Sequence, residues 1–211
     1  MQQEQIKKSG ITFGLVAANV FVYLVFLALT RLSSEEYIDY IYMGGQCPDK
    51  VQQGEYWRLL TSVFMHMDFE HIFNNMFLLI CAGPILEQAM GHIRYLVLYL
   101  LAGIGSSLFS VYHMISAGEG GVSVGASGAI FGVIAALLWV VIYHKGHYAT
   151  LSGKGLVFLL AITFYSGLKS PGTDNWGHAG GLITGFLLAM LLYRKKRKPV
   201  DFDTENLYTR E

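Results

Sequence analysis

Residues 125–143 read GASGAIFGVIAALLWVVIY, a run without a charged side chain that opens on a serine set between two glycines. A stretch of this length and composition suits a membrane helix, because a hydrocarbon core about 30 Å thick takes roughly 20 residues at about 1.5 Å each. Working outward, five more apolar stretches appear, so that the set is roughly 11–30, 71–90, 95–117, 127–143, 155–169 and 177–193. Backbone polar groups in lipid must be paired within the segment, so all six are predicted to be helices. The fifth, 155–169, is short enough to be tilted or partly re-entrant. The composition agrees: 53% of the residues are hydrophobic and only 14% charged, against roughly 25% charged in an ordinary soluble domain. The fold class predicted is an all-α, polytopic membrane protein.

Charge placement gives an orientation. With the N-terminus in the cytoplasm, Lys7, Lys8, Arg94, Lys145, Lys154, Arg194, Lys195, Lys196, Arg197, Lys198 and Arg210 lie inside, and only Arg31, Lys50, Arg58 and Lys169 outside. That asymmetry is the one the positive-inside rule expects, and it places both termini in the cytoplasm. The basic run Arg194–Lys198 follows an apolar helix directly and reads as a juxtamembrane anchor, not a nucleic-acid patch. Net charge is zero, so no nucleic-acid partner is implied. Ile11–Thr30 exceeds a signal-peptide core and is read as a retained span. The chain divides into a cytoplasmic segment 1–10, a membrane domain 11–193, and a basic anchor with polar tail 194–211. Residues 31–70, mixed in polarity and rich in aromatics, are expected to form ordered structure lying on the outer face. Cys47 and Cys81 lack metal-ligand spacing, and the reading calls for no cofactor, no metal and no disulfide.

Several polar residues do not belong in lipid. The glycine-rich approach to Gly125-Ala126-Ser127-Gly128 sets Ser127 at a helix N-terminus, where unpaired N–H groups and the positive end of the helix dipole face any negative charge that develops. An acyl-transfer nucleophile needs that setting; a plain N-cap serine would occupy it too. In the last stretch His178, Gly181 and Gly185 fall at i, i+3 and i+7, and Gly128 and Gly132 form a similar strip beside Ser127, so two backbones can approach there. Such contact would bring Ser127 and His178 within hydrogen-bond reach, although a buried structural histidine would fit the same pattern. His71 and Asn75, at i and i+4, share one helical face and could donate to an oxyanion. His66 and Asn74 read as structural.

Depth ties these residues together. Ser127 lies 16 residues before Tyr143, His178 15 before Tyr193, and Asn75 16 before Gly91. Each therefore sits roughly 22–24 Å above the inner boundary, several Å below the outer surface, and needs a water-filled cavity open to that side. No carboxylate shares that level to orient His178, so the residues suggest a Ser–His dyad. Phe131, one turn after Ser127, could pack on the imidazole or merely fill the core. Glu87, near the inner end of its helix, is expected to snorkel to the interface or brace the turn at Gly91.

In order, Trp57-Arg58, His71-x-x-x-Asn75, Gly125-x-Ser127-Gly128 and Gly177-His178-x-x-Gly181-x-x-x-Gly185 resemble the rhomboid family of intramembrane serine proteases. The resemblance implies a six-transmembrane-helix rhomboid core with the 31–70 loop partly in the outer leaflet. It implies a Ser127–His178 catalytic dyad, and an oxyanion site from His71, Asn75 and the Ser127 backbone. Gly125, Gly128, Phe131, Gly181 and Gly185 are the supporting residues. Some members carry tyrosine where this chain has Phe131; the stacking role survives that change. The implied partners are a transmembrane protein substrate and the lipid bilayer, in a plasma or bacterial inner membrane. Two rival readings are an inactive rhomboid-like protein that binds transmembrane helices and a small transporter or proton relay, the latter lacking midplane acidic partners.

Overall fold

A computed structural model describes residues 9–170 and 172–194. The basic run beyond Arg194, the tail 199–211 and Lys7 and Lys8, on which part of the orientation rests, lie outside the described residues.

The described chain is almost wholly helical. Long helices are α1 (Gly10–Leu32), α5 (Phe69–Met90), α6 (His92–Ala117), α7 (Ser127–Tyr143), α8 (Gly153–Lys169) and α9 (Asn175–Leu192). Between α1 and α5 come three short ones, α2 (Tyr37–Gly44), α3 (Pro48–Gln52) and α4 (Arg58–Thr61), the last continued by a 3₁₀ turn, Ser62–Phe64. Among the described residues α1, α5, α6 and α9 are long and apolar enough to cross a membrane. At 17 residues α7 and α8 are shorter. For α7 the reason is visible in its surroundings: every residue from Gly128 to Leu137 is buried, and α5, α6, α8 and α9 all pack on it. A helix apolar on all sides is one that other helices enclose, and it need not reach the surface at both ends.

The helix contacts explain how the bundle brings α7 and α9 so close. A Cβ at Gly181 would run into the backbone carbonyl of Gly128, and one at Gly185 into the backbone of Gly132. The two strips of small residues therefore meet backbone to backbone, as small-residue stripes permit. A Cβ at Gly132 would also strike Ala102 of α6, so α6, α7 and α9 form one tightly packed group.

Residues 33–68 are held as one piece. Arg58 is 6% exposed; its Nη1 donates to the carbonyls of Tyr42 at 2.7 Å and Gly45 at 2.9 Å, and its Nε to Glu55 at 2.7 Å. Three acceptors satisfy a buried guanidinium that would otherwise be costly. The Tyr37 hydroxyl donates to the His66 carbonyl at 2.8 Å, fixing the turn that leads into α5.

Of the two roles expected of Glu87, the structure shows the brace at the Gly91 turn, through His92, and not the snorkel. Glu87 is fully buried and accepts hydrogen bonds from the Ile11 N–H at 3.0 Å, the Thr12 N–H at 2.8 Å and the Thr12 hydroxyl at 2.6 Å, with His92 Nδ1 at 2.5 Å. The N-terminus of α1 abuts this carboxylate, and its unpaired N–H groups and dipole favour a negative charge there. Facing Glu87, α1 gains a cap that its own Ser9 does not supply. A two-residue hairpin, β1 (His147–Tyr148) with β2 (Leu151–Ser152), joins α7 to α8; nothing in the apolar pattern signals it.

Candidate active site

The approach to α7 is an extended segment pinned at several points. Gln46 and Ser123 pair as an antiparallel bridge through both backbone hydrogen bonds, at 3.1 and 3.0 Å, and the Gly125 N–H donates to the Ser62 carbonyl at 2.9 Å. Gly125 then turns the chain with φ of +132°, and a Cβ there would lie 2.7 Å from the His71 Nε2. Both conformation and space restrict this position to glycine. Ala126 caps α7, and Ser127 is its first residue.

Across the glycine contact, α9 starts with Asp174 as N-cap, its Oδ1 accepting from the Gly177 N–H at 2.7 Å. One turn on, His178 Nε2 lies 2.9 Å from the Ser127 Oγ. The imidazole is 8% exposed, and its Nδ1 has no hydrogen-bond partner among the described residues. None of the described carboxylates completes a triad at that nitrogen. The Phe131 ring stacks on the imidazole instead, centroids 4.4 Å apart and planes 15° from parallel, and Phe131 is itself held edge-on by Phe164 of α8. With Nδ1 protonated, Nε2 is free to accept the serine proton. The stacked ring could then favour the imidazolium by a cation–π contact of about 0.5–2 kcal/mol.

Ser127 and His178 line a cavity of about 640 Å³. His71, Asn74, Ser106, Ser107, Ser127 and His178 are among its lining, with Gly125 and Gly128. The His71 backbone N–H donates to the helix-capping carboxylate of Asp68 at 2.8 Å, and the His71 ring meets that of His66 edge-on at 5.0 Å. His66, in the turn ahead of α5, is 1% exposed, and burial together with the His71 ring pushes its pKa down to about 3. It is neutral at any working pH. Asn75 lies one turn below His71, 4% exposed, with an amide nitrogen that donates to no acceptor among the described residues. It does not line the cavity, whereas Asn74 does.

The structure thus lines one cavity with Ser127, His178, His71, Gly125 and Gly128, stacks Phe131 on His178, places Gly181 and Gly185 in the α7–α9 contact, and sets Asn75 behind the cavity wall. Sequence reading missed Asp174, Ser123 and Gln46. Asp174 Oδ2 accepts from the Ser123 hydroxyl at 2.7 Å and, more loosely, from Gln46 Nε2 at 3.5 Å. The Asp174-x-x-Gly177 spacing was the available sign of a helix cap; its second set of contacts comes from segments remote in sequence.

Comparison with known proteins bears on the whole arrangement. Residues 53–195, more than half of the chain, match the family model of the rhomboid domain. The chain is 40% identical over 148 residues to RHOMBOID-like protein 6, mitochondrial, of Arabidopsis thaliana, covering 67% of this chain and 45% of the relative. It is 37% identical over 146 residues to Rhomboid protease GluP of Bacillus subtilis strain 168, covering 67% and 27%. To Rhomboid-like protease 1 of Toxoplasma gondii it is 32% identical over 167 residues, covering 76% and 55%. The chain thus spans between about a quarter and a little over half of these relatives' lengths. With a domain match of this extent and helices suited to crossing a membrane, the chain is a membrane protein and belongs to the rhomboid family.

Proposed function

We propose that this protein is an intramembrane serine endopeptidase that cuts membrane-anchored polypeptides near the outer face through a Ser127–His178 dyad. The observation that carries the reading is the 2.9 Å contact between Ser127 Oγ and His178 Nε2 at a cavity within a bundle of membrane-spanning helices. All six long helices cross the membrane in this reading, the N-terminus is cytoplasmic and the cavity opens to the opposite side, where it admits water.

His178 Nε2 takes the hydroxyl proton as Ser127 Oγ attacks the scissile carbonyl, and a tetrahedral intermediate forms with its negative oxygen directed at the N-terminus of α7. The Ser127 N–H and the side chains of His71 and Asn75 are the oxyanion donors; the buried Asn75 amide, unpaired among the described residues, supports this role, since a donor without a partner is costly unless something fills it. The imidazolium returns its proton to the departing amine nitrogen. Water then attacks the acyl-enzyme with His178 again as base, which restores Ser127 and releases the new carboxylate. A scissile peptide must leave its helical hydrogen bonds to reach Ser127, so substrates are transmembrane segments that unwind easily near that face.

Labelling by a fluorophosphonate probe tests this. The parent protein in detergent should become covalently modified at Ser127, and the His178→Ala variant should not. A parent protein that stays unlabelled would favour an inactive, helix-binding rhomboid-like protein.

A further inference from the structure

Nucleophile and base sit on different helices, Ser127 on α7 and His178 on α9, and their alignment depends on how the loop ahead of α7 is fixed to the start of α9. One side chain joins them. Asp174 stands four residues before His178 and Ser123 four before Ser127, and the Ser123 hydroxyl donates to Asp174 Oδ2 at 2.7 Å. The other oxygen of the same carboxylate caps α9 through the Gly177 N–H at 2.7 Å. Ser123 is also locked to Gln46 by two backbone hydrogen bonds, so the outer loop, the nucleophile loop and the base helix converge on this carboxylate. The loop has a second anchor at Ser62, through the Gly125 N–H, but that anchor ties it to the 3₁₀ turn and not to α9.

We infer that Asp174 is a positioning residue of the reaction, its carboxylate clamping the loop that delivers Ser127 to the helix that carries His178. The inference rests on the dyad reading above. It assigns Asp174 two separable duties: Oδ1 starts the helix and Oδ2 holds the loop. The Ser123 hydroxyl is the matching half of the clamp. An unclamped loop lets Ser127 drift from His178, and a misplacement of about 1 Å can cost about 10²-fold in rate.

Substitutions can separate the two duties. Serine at 174 still caps a helix but is too short to reach Ser123; asparagine can cap α9 and, through its amide, donate to the Ser123 oxygen. Ser123→Ala opens the clamp without touching the cap. Purified parent and variants are assayed in detergent for fluorophosphonate labelling rate, and for kcat and KM on a single-span transmembrane reporter. Asp174→Ser and Ser123→Ala should each lower kcat and labelling by about tenfold or more with KM little changed, as loss of one charge-assisted hydrogen bond predicts. Their double variant should be no slower than either alone, and Asp174→Asn should recover most of the lost kcat. A merely structural aspartate would give none of this pattern. Parent-like labelling by Ser123→Ala or Asp174→Ser, or losses that multiply in the double variant, would overturn the clamp while leaving the dyad standing. An unlabelled parent would overturn the dyad, and the clamp with it.

Discussion

Gly181 of α9 lies so close to the Gly128 carbonyl of α7 that a Cβ has no place between them. The contact is one turn below the Ser127–His178 pair, so the spacing of the two helices there sets the distance between the two side chains. Gly181→Ala must push α9 outward. Overpacking of this kind costs about 1–3 kcal/mol, and the separation of Ser127 from His178 should lower cleavage by about 10²-fold. Melting temperature and reporter turnover of the purified variant check both numbers; a variant as active as the parent would mean that the helices can slide without disturbing the pair.

Donors around the intermediate predict graded losses. His71→Ala and Asn75→Ala should each slow turnover by about 10²–10³ without abolishing it, because the Ser127 N–H remains. Asn75 stands behind the cavity wall, so its effect is the more informative of the two. Parent-like turnover by Asn75→Ala would return that residue to a packing role.

Burial holds the His66 imidazole at a pKa of about 3, far below its ordinary 6.5. Because the folded value is lowered, the unfolded chain takes up a proton between about pH 6.5 and 3 that the folded protein refuses, so stability falls as pH falls through that window and is unaffected above it. His66→Gln removes this uptake. Its melting temperature should therefore drop less than the parent's between pH 7 and pH 5; equal slopes would show that the buried ring is not what acid attacks.

At the far end of α5, about 24 Å of helix from His71, Glu87 anchors the start of α1. Glu87→Ala leaves the Ile11 and Thr12 donors unpaired and should cost about 3 kcal/mol. Thr12→Val should cost about 1 kcal/mol and add little to the larger change. Fluorophosphonate labelling of the folded fraction should persist, since this network is remote from Ser127. Unfolding curves superimposable on the parent's would contradict the capping role.

Much of this architecture could be read before the structure. The long helices start and end within about three residues of the apolar stretches, because lipid-facing length and backbone pairing leave little freedom. The approach of Ser127 to His178 was legible for a similar reason: Gly128, Gly132, Gly181 and Gly185 repeat at helical spacing, and small residues at that spacing mark a close crossing. The Asp174–Ser123–Gln46 junction was not legible, as its members lie 51 and 128 residues apart and meet only through loops with no periodic pattern. Glu87 was legible in part: its contact with His92 Nδ1 spans the turn at Gly91 as one of its two expected roles required, but nothing in its own stretch marks the neighbouring helix N-terminus that it caps. Its partners at Ile11 and Thr12 come from a helix more than 70 residues earlier.

Ser127 and His178 are proposed to act as one unit, and a double-variant cycle measures that coupling. Turnover of a single-span transmembrane reporter is followed for the parent, Ser127→Ala, His178→Ala and the double variant, each confirmed as folded by its melting curve. Either single change should remove proteolysis and the double change should be scarcely worse, since neither residue works without the other. Both substitutions delete polar atoms from a partly buried site, so folding should survive them. Substantial cleavage by folded Ser127→Ala, or losses from the two single changes that multiply in the double variant, would contradict that proposal.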